Sequence, residues 1–204
     1  MASSLIHLCV ANEINKKIKK DKKKLLIGSI APDISKQVGE PRSKSHFTTE
    51  GFTNHIKFFD KYRNYINDDF ILGYYIHLYT DYLWEKYFAT ELGNKNLIKK
   101  LNGDVVKCNG EMYKQYIYND YTSLNSQIID EYNLELDIFY EDVPHLDNIV
   151  EEIPMEKIDV IINQAGIIIA NAKQRKEFVF DMNAVKQFIT LSVDIISSDL
   201  NDII

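Results

Sequence analysis

Apolar residues recur at three- and four-residue spacing along most of the chain, the period of a helix that buries one face. Leu5, Ile6, Leu8, Cys9, Val10, Ile14 and Ile18 predict a first helix, with Ser3 or Ser4 as its cap. Leu25-Leu26-Ile27 continues apolar until Gly28 and the turn at Pro32-Asp33, where Asp33 is placed to cap the helical turn that follows. Residues 35–45 read as a polar loop and 53–65 as an amphipathic helix. Asp68-Asp69 then opens a long, mostly apolar helix over roughly 69–89. Past Gly93 the pattern predicts a short helix, a break at Gly103, and helical segments carrying Met112, Tyr116, Leu124, Ile128 and Ile129. Residues 130–155 are acidic and loosely patterned, with Pro144 and Pro154. Two amphipathic helices close the chain, one over about 156–173 and one after Asp181. There is no internal repeat and no low-complexity linker. The expectation is one all-α domain, a helical bundle spanning residues 1–204.

Composition sharpens this picture. The chain of 204 residues is long enough to bury a full core, and 45% hydrophobic with 26% charged residues is globular rather than disordered. Only 8 Gly and 4 Pro favour long helices over a turn-rich β fold. A net charge of −6 argues against a general nucleic-acid binder. Cys9 and Cys108 lie far apart without metal-type spacing, which predicts buried free thiols in a reducing compartment. No stretch approaches the ~18 apolar residues of a membrane span, and no secretory signal is seen, so the expected location is cytoplasmic. The basic run from Lys16 to Lys24 reads as a solvated helix end; peripheral contact with an anionic surface is the alternative.

The candidate chemistry centres on Gly73 to Glu85. His77 and Asp81 are four apart, hence one turn apart on one helix face, in the middle of an apolar run. Burying either group unpaired is costly; a metal ion or a His–Asp hydrogen bond would satisfy both. His7 sits among apolar residues and by itself reads as a core histidine. His46, following a loop, reads as exposed. Taken together, His7, Asp33, His46, His77 and Asp81 make five imidazole and carboxylate groups, about the number a two-metal centre needs.

The ordered set resembles the bacterial zinc-dependent phospholipase C family, related in fold to the fungal-type single-strand-specific nucleases. The residues that carry the resemblance are His7 with Val10-Ala11, Gly28-Ser29-Ile30-Ala31-Pro32-Asp33, Ser45-His46-Phe47, and Leu72 through Asp81, within about the first 90 residues. The resemblance implies an all-helical fold in which Asp33, His46 and His77 hold one zinc and Asp81 bridges to a second held partly by His7. It implies hydrolysis of a phosphate ester or phosphodiester by activated water, with Asp33 as a ligand or the general base. The substrate is left open among a phospholipid headgroup, a nucleotide and a nucleic-acid strand.

This chain departs from the family pattern after residue 81. A third zinc would need further histidines and an HxxxE pair, yet Tyr87 stands six residues past Asp81, and the one later histidine, His145, is followed at the fourth position by Ile149. The implied centre is therefore one or two ions. Glu85, one turn beyond Asp81, is a candidate to complete it or to touch substrate, and Arg42 and Lys44 are candidate phosphate contacts, the solvated loop being the alternative. Glu13 reads as a surface carboxylate. A second reading is a catalytically reduced metal-binding or regulatory module of the same fold. A helical nucleotide phosphohydrolase with an adjacent His-Asp pair ranks lower, because no such dipeptide occurs.

Overall fold

The computed structural model describes residues 1–94, 96–135, 137–139 and 141–204, with the backbone alone at Asp137. The chain is mostly α-helical, as its patterning predicts. Helix α1 (Ser4–Ile18) starts where the Ser3 hydroxyl accepts from the Ile6 amide, and it ends at Lys19 in the left-handed conformation. Its residues from Leu5 to Asn12 are all buried, so it lies inside the molecule rather than on its surface. Helix α2 (Lys22–Gly28), capped by Asp21, is followed by a 3₁₀ turn (Ala31–Asp33), α3 (Ile34–Val38), α4 (Arg42–Ser45) and α5 (His55–Tyr62). The predicted loop at 35–45 is thus two short helices around Gly39, whose positive φ of 76° turns the chain between them.

The axis of the fold is α6 (Asp69–Leu83), buried at every position from Phe70 to Asp81. Helix α2 crosses it with backbones nearly touching. A Cβ on Gly73 would lie 2.1 Å from the Leu25 carbonyl oxygen, and one on Gly28 would lie 2.2 Å from that of Phe70. Only glycine fits both positions. A π-helical turn (Trp84–Phe88) and α7 (Ala89–Leu92) extend α6, widening the helix just past Asp81.

The predicted short helix past Gly93 is instead a small antiparallel sheet: β1 (Gly93–Asn94), β2 (Leu97–Lys99) and β3 (Val105–Lys107), in the order β1-β2-β3. Its period is two, with only Ile98 of β2 turned to the core, and Gly103 supplies the positive φ of the turn. Helix α8 (Gly110–Tyr132) packs on α1, α9 (Ile158–Ala170) on α3, and α10 (Met182–Leu200) on α1. Buried apolar residues from all of these helices form one continuous core. Asp120 of α8 anchors the segment before α10: its buried carboxylate accepts from the amides of Phe178, Val179 and Phe180 at 2.6–3.1 Å. No described helix is long and apolar enough to cross a membrane. Lys16, Lys17, Lys20, Lys22 and Lys23 each pair with a carboxylate (Glu13, Asp194, Asp69, Glu135 and Glu141), so the basic run faces acidic side chains of its own chain. Cys9 is buried, whereas Cys108, expected to be buried too, is half-exposed on the sheet side.

Candidate metal centre

Five side chains distant in sequence meet at the centre of the fold. His7 comes from α1, Asp33 from the 3₁₀ turn after α2, His46 from the residue after α4, and His77 and Asp81 from α6. His46, expected to be exposed, is fully buried. Asp33, expected as a cap, makes no capping bond to α3. Its side chain, 14% exposed, turns to His46 instead, with Oδ1 3.6 Å from Nε2.

Donor atoms face one another across short gaps. His46 Nε2 stands 3.2 Å from His77 Nε2 and 3.5 Å from Asp81 Oδ2. His77 Nε2 is 3.8 Å from Asp81 Oδ2, and His7 Nε2 is 3.3 Å from Asp81 Oδ1. Two ligands 2.0–2.1 Å from a tetrahedral ion lie about 3.3–3.4 Å apart, so these spacings fit shared ions. Asp33, His46 and His77 form one such group and His7, His77 and Asp81 another.

The ring orientations suit ligation. His77 Nδ1 lies 2.7 Å from the Ser29 carbonyl oxygen, which only accepts, so the proton is on Nδ1 and the Nε2 lone pair points into the cluster. Burial and the neighbouring His7 keep His77 well below the usual histidine range, hence neutral. His46 Nδ1 contacts the Ser45 hydroxyl at 2.8 Å, which leaves Nε2 for the cluster. That single nitrogen faces His77, Asp33 and Asp81 together. One proton there can bridge to only one of them; a cation satisfies all three. His7 stacks on His77 at 3.7 Å between ring centres, buried, with neither nitrogen in a well-directed hydrogen bond. Its 3.3 Å approach to Asp81 is ion-pair distance without hydrogen-bond geometry. Burial works against ionisation of Asp33 and Asp81. The hydrogen bond with His46 outweighs it at Asp33, and the polar groups that surround Asp81 outweigh it there, so both stay carboxylates.

Residues 4–84 match the family model for zinc dependent phospholipase C. The match supports the zinc-dependent phospholipase C family, and all five residues of the cluster fall inside it. No curated protein and no solved structure matches the chain. The donor set, three imidazoles and two carboxylates with an orphaned buried His7, is of the nitrogen and oxygen types that zinc accepts.

Around the cluster, Arg42 Nη2 donates to Asp81 Oδ2 at 2.6 Å, to Glu85 Oε1 at 3.1 Å and to Thr53 Oγ1 at 3.0 Å. Arg42 is therefore tied to the centre rather than loose in a solvated loop. Glu85, in the π-helical turn, also accepts from the Thr53 amide at 2.8 Å, so it holds Arg42 and the 46–54 turn. Lys44 is not brought to the site; it is exposed in a depression with Glu40 and Glu151. His145 is a surface residue, 91% exposed and paired with Asp147. Glu13 pairs with Lys16. Sequence reasoning missed the Ser29 carbonyl, Ser45, Thr53, the Ala2 amide that donates to Asp81 Oδ1 at 2.7 Å, and Tyr121, whose hydroxyl donates to the Met1 carbonyl. Backbone groups leave no residue-type signal. Ser45 adjoins His46 in the chain and could have been weighed as its neighbour, whereas Thr53 is seven residues on.

Proposed function

We propose that the chain is a zinc-dependent hydrolase of phosphodiesters, phospholipase C-like, working at a centre of two ions. The observation that carries this reading is the convergence of His7, Asp33, His46, His77 and Asp81 at ligand–ligand spacings on both carboxylate oxygens of Asp81. Asp33, His46 and His77 would hold one ion; His7 and Asp81 would hold the second, with Asp81 shared. Zinc bound there supplies Lewis acidity toward a phosphoryl oxygen and makes water acidic enough to attack near neutral pH. The protein's own part is orientation and charge. Ser29 and Ser45 fix the two imidazoles, and Asp33, the partly open carboxylate, is placed to take the proton of an attacking water. Arg42 supplies a fixed cation beside Asp81, held by Glu85 and Thr53, where a phosphate oxygen can reach the rest of its guanidinium. The two unpaired cysteines favour a reducing compartment such as the cytoplasm.

Metal content by plasma mass spectrometry on protein purified without an affinity tag, paired with turnover of bis(p-nitrophenyl) phosphate, tests this. The expected result is close to two zinc ions per chain and measurable hydrolysis, with both reduced in His46→Ala and Asp81→Asn. Zinc-free protein, or turnover retained in both variants, refutes it. One observation favours a second reading, a reduced metal-binding module: Tyr87 and His145 are at the surface, and neither supplies a further ligand. One zinc without turnover would select it.

A further inference from the structure

A cavity of about 280 Å³ borders the centre at Asp33 and is closed on its far side by α8 and α9, which lie outside the matched segment. Its lining is of two kinds. Ile161, Ile168 and the ring of Tyr121 give flat apolar surface, while Thr122, Asn125 and Gln164 bring neutral hydrogen-bonding groups. Asn125 is 3% exposed, and its Oδ1 has no partner among the described residues. An unpartnered amide oxygen is costly to keep inside a protein, and one on a cavity wall is explained by an occupant. The two ends of an amide exchange by a flip of the side chain, and a hydroxyl satisfies either, since it donates and accepts.

Charge narrows the choice. Among the described residues the one carboxylate on the lining is Asp33, which belongs to the metal centre and faces His46, so a quaternary ammonium group finds no free counter-charge there. Among the described residues the cationic side chain on the lining is Lys36, exposed at the rim beside the Tyr118 hydroxyl, and Met1 also borders the cavity. The volume is at the small end for ligand pockets and suits a head group rather than an acyl chain. Apolar flats edged with neutral hydrogen-bonding groups match a ring that has C–H faces and a hydroxyl rim.

We propose that this cavity is the subsite for a neutral polyol esterified to the phosphate held at the metal centre, with Asn125 as a specificity-determining residue. The proposal rests on the phosphodiester reading above, because the cavity's place beside Asp33 is what joins polyol to phosphate. The polyol phosphate could belong to a lipid or to a soluble ester; the recognition chemistry is the same.

Titration calorimetry on the zinc-loaded full chain, with inositol 1-phosphate, phosphocholine and inorganic phosphate as probes, tests it. Inositol 1-phosphate is expected to bind about tenfold more tightly than either of the others, the worth of one or two buried hydrogen bonds. Asn125→Leu should bring it down to the affinity of inorganic phosphate. Gln164→Leu, at a half-buried position that tolerates change, should reduce the preference and guards against an Asn125 variant that fails to fold. Phosphocholine binding as tightly, or a preference unchanged in both variants, overturns the proposal. Myo-inositol alone, titrated into metal-free protein, separates this failure from failure of the metal centre. Binding lost in Asn125→Leu supports the subsite even if phosphate shows no zinc-dependent binding. Zinc-dependent phosphate binding with no response to inositol removes the polyol and leaves the centre. Turnover of phosphatidylinositol in vesicles against glycerophosphoinositol in solution then assigns the source: either one being cleaved supports the polyol, and cleavage of their choline counterparts alone overturns it.

Discussion

Replacing Gly73 by alanine probes the contact that aims His77. A Cβ there would lie 2.1 Å from the Leu25 carbonyl oxygen and 3.0 Å from the Gly28 Cα, both backbone atoms with no rotamer to retreat into. Ordinary contact begins near 3.4 Å, so α2 has to move away from α6 by about 1.3 Å. Ser29, at the end of α2, moves with it. Its carbonyl, now 2.7 Å from His77 Nδ1, would then lie at about 4 Å, beyond hydrogen-bond range. Overpacking of this kind costs about 1–3 kcal/mol, and an unpaired buried imidazole N–H about 1–3 kcal/mol more. The better helix propensity of alanine returns up to ~1 kcal/mol. The net expectation is a loss of about 1–6 kcal/mol in urea unfolding, together with a zinc affinity reduced about 10–100-fold as the ring loses its orientation. Gly28→Ala should behave alike, because its Cβ meets the Phe70 carbonyl oxygen at 2.2 Å. Gly166→Ala in α9 meets nothing within 4 Å and should be neutral or stabilising. A Gly73→Ala protein within ~0.5 kcal/mol of wild type, with unchanged zinc affinity, would refute both the close crossing and the role of the Ser29 carbonyl.

Other consequences are open to direct measurement. Burial lowers His55 from 6.5 to about 4, so the unfolded chain binds that proton first; stability is complete above pH 6.5 and falls as pH drops toward 4, by about 3 kcal/mol. Urea midpoints of metal-free protein at pH 7 and 4.5 should show at least this loss, since His77 is also held below the usual histidine range, and His55→Phe, which keeps the stack on Tyr79, should remove the His55 share. Asp120→Ala leaves three backbone amides of the 178–180 segment unpaired and should cost about 3–5 kcal/mol, with faster amide exchange there; a thermal midpoint equal to wild type would contradict the clamp. Burial pushes the Cys9 thiol far up, so the native protein should give one reactive thiol to Ellman's reagent, Cys108, and two in urea. Chelation should lower the melting temperature of wild type and leave His46→Ala unmoved, since binding to the folded state alone is what stabilises it.

The local pattern already carried the helices at 4–18, 55–62, 69–83, 158–170 and 182–200, because each buries one stripe or its whole circumference, and residue spacing records that. The HxxxD pair was legible for the same reason: a carboxylate and an imidazole in an apolar run have no packing role. The fate of His46 was not. It follows a polar stretch, and only the docking of α4 under α6, with Tyr74 donating to the Ser45 carbonyl, takes it out of solvent. The sheet at 93–107 escaped detection because strands of two or three residues are too short for a period to show. Arg42 reads as a loop cation until the fold sets Asp81, Glu85 and Thr53 around one nitrogen.

The sequence by itself determined which residues offer metal-ligating side chains and where the long helices run, since both follow from side-chain chemistry and short-range spacing. Tertiary structure alone decided that Asp33 turns to His46 rather than capping α3, that the Ser29 carbonyl sets the tautomer of His77, and that α8 and α9 wall a cavity against Asp33. Those outcomes depend on backbone atoms and on groups up to 135 residues apart in the chain, such as Asp33 and Ile168 on one cavity wall, and no local pattern encodes a distance of that kind.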